Sequence, residues 1–225
     1  MSSLLEIPAQ LALILHLAAG GTALPHGDAR LAAAQTKFGV QGFGLTEDRW
    51  LDVLHLHGAA TGHGQLAARI FRTRSGLVYV PVAHDRALLL ARAKDPVVLL
   101  NVTREAASAN AVWLRAELGR SPSAAELYLA HIATRHEAQA LIAAQGPQLV
   151  RAASELAPVA ALAHRSLFFA GTRALTVAEV QRHVELALLR AESGQQHAAS
   201  VVMADADKPA ITVKWRTDVV RHDRR

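Results

Sequence analysis

The chain contains no cysteine, which excludes disulfide bonds and thiolate metal sites. A chain without cysteine is compatible with the cytoplasm, the periplasm or a virion, so the absence of cysteine does not indicate where the protein is located. Aromatic residues make up only 4% of the 225 residues, whereas 51% are hydrophobic. This composition predicts helices packed through small side chains, and a charged fraction of 19% is too low for a disordered chain.

The apolar stretch at residues 11–19 is too short for a transmembrane helix. As a signal peptide it would lack a basic segment before it, because Glu6 stands there instead. We therefore predict a buried first helix within residues 4–19, ended by Gly20 and Gly21.

The formal net charge is +5, and much of the excess lies near the C-terminal end. Residues 214–225 hold five basic and two acidic side chains, a net of +3. A basic tail can contact nucleic acid, an anionic glycan or an acidic partner. We favour a solvated terminus over a specific contact; the candidate partner-binding residues are Trp215, Arg216 and Arg221.

Capping and turn residues predict the elements of the first half. Thr46 suits the N-cap of a helix that carries Trp50. Residues 70–82 are rich in β-forming side chains, and their Ser75-Gly76 pair predicts a small β-hairpin. A long helix is expected at residues 96–118, between Asp95-Pro96 and Gly119.

In the second half, Ser123 and Thr176 are expected to begin helices, and Gly194 is expected to end the last one. Residues 200–203 and 211–215 then predict a C-terminal hairpin or two extended arms. The hairpin could fold back on its own domain or add to the sheet edge of a partner, and both alternatives remain open. We predict one helical domain, residues 1–194, and an appendage, residues 195–225.

Metal and nucleotide sites are not indicated. His55 and His57 are two residues apart, and His131 and His136 are five apart, so neither pair has the spacing of a zinc-binding helix. The glycines of residues 39–44 match neither a P-loop nor a dinucleotide fingerprint. We expect no cofactor and no metal, and we regard nucleic-acid binding as the weakest of the partner hypotheses.

Four segments resemble a known family. Residues 43–51 read FGLTEDRWL, similar to the G-x-F-Q-F-T-E-D-T-W-L segment of lytic transglycosylases. Residues 118–131 read LGRSPSAAELYLAH and are similar to the L-G-R-x-P-T-x-x-E-L-Y-L-A-H run of a bacterial branch of that family. Residues 163–168 (AHRSLF) and 176–180 (TVAEV) resemble that branch's A-N-R-x-I-F and T-x-x-E-V segments.

This resemblance implies a mainly α, lysozyme-like fold and a glycan groove containing Phe43, Gly44 and Tyr128. In that family one glutamate protonates the glycosidic oxygen of peptidoglycan. The same glutamate then acts as the base that closes a 1,6-anhydro ring. It lies at a helix end, shortly before the G-x-F-Q-F segment.

The catalytic pattern is broken in this chain. Between Glu6 and Glu47 the only carboxylate is Asp28, and the expected helix end reads AAGGTALP. Gly44 replaces the family's glutamine and Leu45 its second phenylalanine. Gly, Thr and Ala side chains cannot donate a proton near neutral pH, so the resemblance implies a degenerate member.

Two residues could still take part in catalysis. Asp28 could replace the glutamate if burial raised its pKa, but its place after Gly27 and before an Ala-rich segment favours an N-cap. Tyr128 matches the family's active-site tyrosine, yet a buried tyrosine on a helix is also a common packing residue. We favour the structural role for both.

The sequence therefore predicts a domain that no longer cleaves peptidoglycan. It would act as a structural or assembly component, or bind peptidoglycan, in an envelope-spanning or phage-like complex with protein partners. The resemblance favours the periplasm, the cell envelope or a virion over the cytoplasm. The alternative is an active transglycosylase that uses Asp28.

Overall fold

The computed structural model describes residues 9–18, 43–74 and 76–206, which form eleven α-helices and two short antiparallel hairpins. The first half contains α1 (Ala9–Ala18), α2 (Glu47–His57), α3 (Gly64–Ala67), β1 (Phe71–Arg72), β2 (Val78–Tyr79), α4 (Ala83–Arg92) and α5 (Pro96–Leu118). The second half contains α6 (Ala124–Ile132), α7 (Arg135–Ile142), a 3-10 helix (Gly146–Val150), α8 (Ala153–Leu156), α9 (Pro158–Ala163), α10 (Arg165–Phe168), β3 (Phe169–Ala170), β4 (Arg173–Ala174) and α11 (Val177–Ala206). The predicted mainly α class is confirmed for these residues.

Helix α1 is part of the core. Leu11, Leu15 and their apolar neighbours are buried, and the helix packs against α5, α6 and α11. The prediction of a buried first helix is confirmed over residues 9–18. No helix in the described part of the chain is both long and apolar enough to cross a membrane.

Helix α6 lies at the centre of this packing and contacts α1, α5, α7 and α11. Seven of its nine residues are buried. Its N-terminus carries a reciprocal cap, because Glu126 N donates to Ser123 Oγ at 3.2 Å and Ser123 N donates to Glu126 Oε2 at 2.6 Å. Because this helix is covered on nearly all sides, its side chains, including Tyr128 and His131, are held in fixed positions.

Three predicted helix boundaries agree with the structure. Thr46 accepts a hydrogen bond from Arg49 N at the start of α2, and Asp95 caps α5 through Val97 N and Val98 N. Gly119 ends α5 in a left-handed conformation with φ of 67°.

The predicted hairpin within residues 70–82 is present. Phe71 lies opposite Tyr79 and Arg72 opposite Val78. Successive residues of a strand point to opposite faces, so the ribbon has two different sides. Ile70 is buried and Val78 and Val80 pack against the core, whereas Phe71 and Tyr79 point outward.

The second hairpin, β3–β4, was not predicted. Its strands have only two residues each, and no run of β-forming residues as long as residues 70–82 surrounds them. Gly171 makes the turn with φ of 65°, a conformation that suits glycine.

The prediction for residues 195–206 was wrong. Thr176 caps α11 as expected, but the helix continues through Gly194 to Ala206, so residues 200–203 are helical rather than a strand. A glycine inside a helix costs only about 1 kcal/mol, and the Gln- and Ala-rich residues after it favour helix. The predicted domain boundary falls inside this helix, and the division into two domains stays a prediction. The second arm, with Trp215, Arg216 and Arg221, lies outside the described residues.

Candidate functional site

The structure brings Phe43, Gly44 and Tyr128 together. Nε2 of His131, on α6, donates to the Phe43 carbonyl at 2.8 Å. A Cβ placed on Gly44 would lie 3.6 Å from the Tyr128 hydroxyl and 3.7 Å from Ile132 Cγ2. The segment before α2 therefore rests directly on α6, although a role in glycan contact stays a prediction. Asp28 lies outside the described residues.

Gly44 has a backbone conformation that the family's glutamine would not tolerate well. Its φ is 69°, in the left-handed region, which costs a residue with a side chain roughly 1–2 kcal/mol. A glutamine introduced at this position would therefore strain the segment.

Tyr128 is almost completely buried, with 3% of its surface exposed. Burial raises the pKa of its phenol to about 12. The hydroxyl consequently stays protonated at neutral pH and cannot serve as a base. Within residues 9–18, 43–74 and 76–206, no group forms a hydrogen bond with it.

His131 is a buried structural donor. Its Nε2 faces a carbonyl oxygen, so this nitrogen carries the proton, while Nδ1 has no partner in the described structure. Burial lowers its pKa to about 4; the bond to the Phe43 carbonyl opposes this shift and the positive charge of nearby Arg49 adds to it. His164 resembles it: burial lowers its pKa and its buried Nε2 has no partner there.

The side chain of Arg49 links α2 to the C-terminal end of α6 through hydrogen bonds. Its Nε donates to the His131 carbonyl at 3.0 Å, and a terminal nitrogen donates to the Ala130 carbonyl at 3.1 Å. The other terminal nitrogen binds Asp52 at 2.7 Å, and Asp52 also pairs with Arg72. A cation at a helix C-terminus stabilises the unpaired carbonyls there. Burial lowers the pKa of Arg49, and Asp52 opposes that effect.

Glu137 is the most buried carboxylate of the described chain, with 4% of its surface exposed. Oε2 accepts from Thr134 N at 3.1 Å and from Thr134 Oγ1 at 3.0 Å, which caps α7. Oε1 accepts from Val159 N at 2.6 Å and Ala160 N at 3.4 Å, which ties α9 to α7. A role for Glu137 was not predicted from the sequence. The Thr134-x-x-Glu137 spacing indicates the cap, but nothing local indicates the bond to α9.

No group of three or more His, Cys, Asp or Glu side chains able to hold a metal ion is found in the part of the chain that the structure describes. A scan against models of protein families, a search of curated proteins and a search of solved structures each found no match. The proposal below therefore depends on the motifs and on the geometry of this site.

Proposed function

We propose that this protein is a catalytically inactive, lytic-transglycosylase-like domain. It would serve as a peptidoglycan-binding or assembly component of an envelope-spanning or phage-like complex. The four motif segments support the kinship. The lack of a glutamate between Glu6 and Glu47 supports the loss of cleavage.

One observation carries the proposal: the largely buried carboxylates of α2, α6 and α7 are already engaged in structural bonds. Asp52 pairs with two arginines, Glu126 caps α6 and pairs with Arg120, and Glu137 accepts four hydrogen bonds. A general acid needs a protonated carboxyl that is free to approach the glycosidic oxygen. Glu126 is held ionised: although burial opposes it, the bonds from Arg120 and Ser123 lower its pKa.

The competing proposal is an active enzyme in which Asp28 supplies the proton. The buried Tyr128 beside Gly44 favours it, because the family keeps a tyrosine near its catalytic carboxylate. Asp28 has a shorter side chain than glutamate, so its backbone would have to approach the glycan more closely. Its pKa would also have to be raised by burial.

The two proposals differ in product. Purified protein is incubated with peptidoglycan sacculi beside an authentic lytic transglycosylase, and soluble 1,6-anhydro muropeptides are measured. We expect no product from the wild type at concentrations where the authentic enzyme digests the wall. Product that disappears in Asp28→Ala but persists in Asp48→Ala, an exposed control, would establish the active enzyme instead.

A further inference from the structure

The outer face of the β1–β2 ribbon is an apolar surface that no residue of the described ranges covers completely. The rings of Phe71 and Tyr79 lie side by side on it, with centroids 5.8 Å apart and planes tilted by 32°. Each of these residues is 46% exposed, and Leu77, toward the tip of the same ribbon, is 69% exposed. The opposite face is closed, because Ile70 is buried and Val78 and Val80 pack against the core.

The charge around this face is positive but sparse. Residues 53–84 contain no carboxylate, while Arg69, Arg72 and Arg74 lie on or beside the ribbon. Arg69 pairs with Asp85 at 2.7 Å, and Arg72 pairs with Asp52. Arg74 is exposed and forms no ion pair within the described residues. Among the residues that the structure describes, the ribbon therefore combines two exposed aromatic rings with one arginine, Arg74, that has no ion-pair partner.

The combination of exposed aromatic rings and sparse positive charge narrows the class of ligand that this face can bind. Half-exposed rings present their electron-rich faces to flat ligands with partly positive C–H groups, which pyranose rings and nucleobases both carry. Single-stranded nucleic acid bears a phosphate at every nucleotide and is held by several cations. A ribbon with one uncompensated arginine fits a polymer whose charges are far apart. Peptidoglycan has that character, with apolar sugar faces and occasional stem-peptide carboxylates.

We propose that the outer face of the β1–β2 ribbon binds the glycan strand of peptidoglycan. Phe71 and Tyr79 stack on successive sugar faces, and Arg74 pairs with a carboxylate of the stem peptide. The residues of this site are different from those of the segment at Gly44 and Tyr128. The proposal rests on the proposed function in taking the same polymer as its ligand.

The test measures binding to two ligands. Co-sedimentation with sacculi reports binding to the natural polymer, and titration with a neutral chito-oligosaccharide reports binding to sugar faces without carboxylates. We expect the Phe71→Ala/Tyr79→Ala double variant to bind both ligands about tenfold more weakly. Arg74→Gln should weaken sacculus binding by about two- to fivefold and leave chito-oligosaccharide binding unchanged. Val112→Ala, exposed on α5, is the matched control and should bind like the wild type.

A Phe71→Leu/Tyr79→Leu variant separates stacking from general apolar contact and protects the test against poor folding of the alanine variant. It keeps apolar side chains on the ribbon but has no aromatic face, so it should bind as weakly as the alanine pair. Wild-type binding that persists in both double variants would overturn the ribbon site and leave the proposed function standing. No wild-type binding to sacculi would overturn this site together with the peptidoglycan-binding form of the proposed function. Wild-type binding to single-stranded DNA that exceeds glycan binding, and that the double variants lose, would replace glycan by nucleic acid.

Discussion

The C-terminal end of α6 and the outer face of the β1–β2 ribbon use their side chains in opposite ways. At the end of α6, Arg49, His131 and Glu137 are polar, largely buried and bonded to backbone groups of distant segments. On the ribbon, Phe71 and Tyr79 are apolar and half exposed. A buried polar group needs a hydrogen-bond partner to offset the cost of its desolvation. An apolar side chain that stays exposed contributes no burial free energy to the fold.

This difference indicates what each region does. The C-terminal end of α6, one turn after Tyr128, is a joint whose bonds hold α2, α7 and α9 together. The ribbon contributes the Arg72–Asp52 pair to that joint, whereas its Phe71 and Tyr79 rings lie outside it and are half exposed. The comparison predicts that substitutions at the α6 end change stability and that substitutions on the ribbon change binding.

The largest effect is expected at Glu137. Glu137→Ala removes the acceptor of four hydrogen bonds and takes away the side-chain partner of the Thr134, Val159 and Ala160 amides. We expect the free energy of unfolding to fall by about 3–4 kcal/mol, measured by urea denaturation. The control is Glu155→Ala, an exposed residue paired with Arg151, which should cost less than about 1 kcal/mol. Equal losses of unfolding free energy in the two variants would contradict the structural role that we assign to the end of α6.

His131 should make stability depend on pH. The folded protein keeps it neutral down to about pH 4, whereas the unfolded chain binds the proton near pH 6.5. The unfolded state therefore holds more protons between these values, and stability, complete above about pH 6.5, falls as the pH drops. We expect about 2 kcal/mol less stability at about pH 5 than at about pH 7, with His164 acting in the same direction.

His131→Gln keeps a donor for the Phe43 carbonyl but cannot titrate, so its unfolding free energy should change less over that pH range. The exposed His136→Gln should keep the wild-type slope. A wild-type slope in His131→Gln would show that the buried imidazole is not the cause.

Gly44→Gln restores the family's glutamine and should be destabilising. The left-handed backbone at this position predicts a loss of about 1–2 kcal/mol in unfolding free energy. Gly64→Gln is the matched control, because a Cβ there meets only Ala59 at 3.7 Å and no left-handed strain arises. Its stability should change by less than about 0.5 kcal/mol. If Gly44→Gln is as stable as the wild type, the segment can adopt the family's backbone at little cost.

The smallest stability effect is expected on the ribbon. Phe71→Ala loses the contact with the Tyr79 ring, and because both rings are half exposed the cost should be about 1 kcal/mol. Thermal and urea unfolding would detect a small shift, while the Arg72–Asp52 pair stays in place. A loss as large as that of Glu137→Ala would mean that the Phe71 ring is part of the joint.

Local signals in the sequence predicted much of the fold. The caps at Thr46, Asp95 and Thr176 and the stop at Gly119 depend on side chains within three or four residues, so spacing alone reveals them. The β1–β2 ribbon followed from its β-forming residues and the turn between them. The failure at Gly194 has a local cause too, since one glycine is too weak to end a helix that its neighbours favour.

The bonds of the joint at the end of α6 could not be predicted from the sequence. Its bonds connect residues 22 to 88 positions apart, such as Glu137 with Val159 and His131 with Phe43. Such bonds form only after the helices pack, and no spacing rule encodes them. The exposure of Phe71 and Tyr79 was hidden for a related reason, because the alternation along the strands does not tell which face meets the core.

The most direct test of the central claim combines binding and cleavage in one incubation. Wild-type protein is mixed with sacculi, and the bound fraction and the released 1,6-anhydro muropeptides are measured in the same sample. We predict bound protein and no released product, with binding reduced in the Phe71→Ala/Tyr79→Ala variant. Released product that depends on Asp28 would contradict the account and show that the chain still catalyses cleavage.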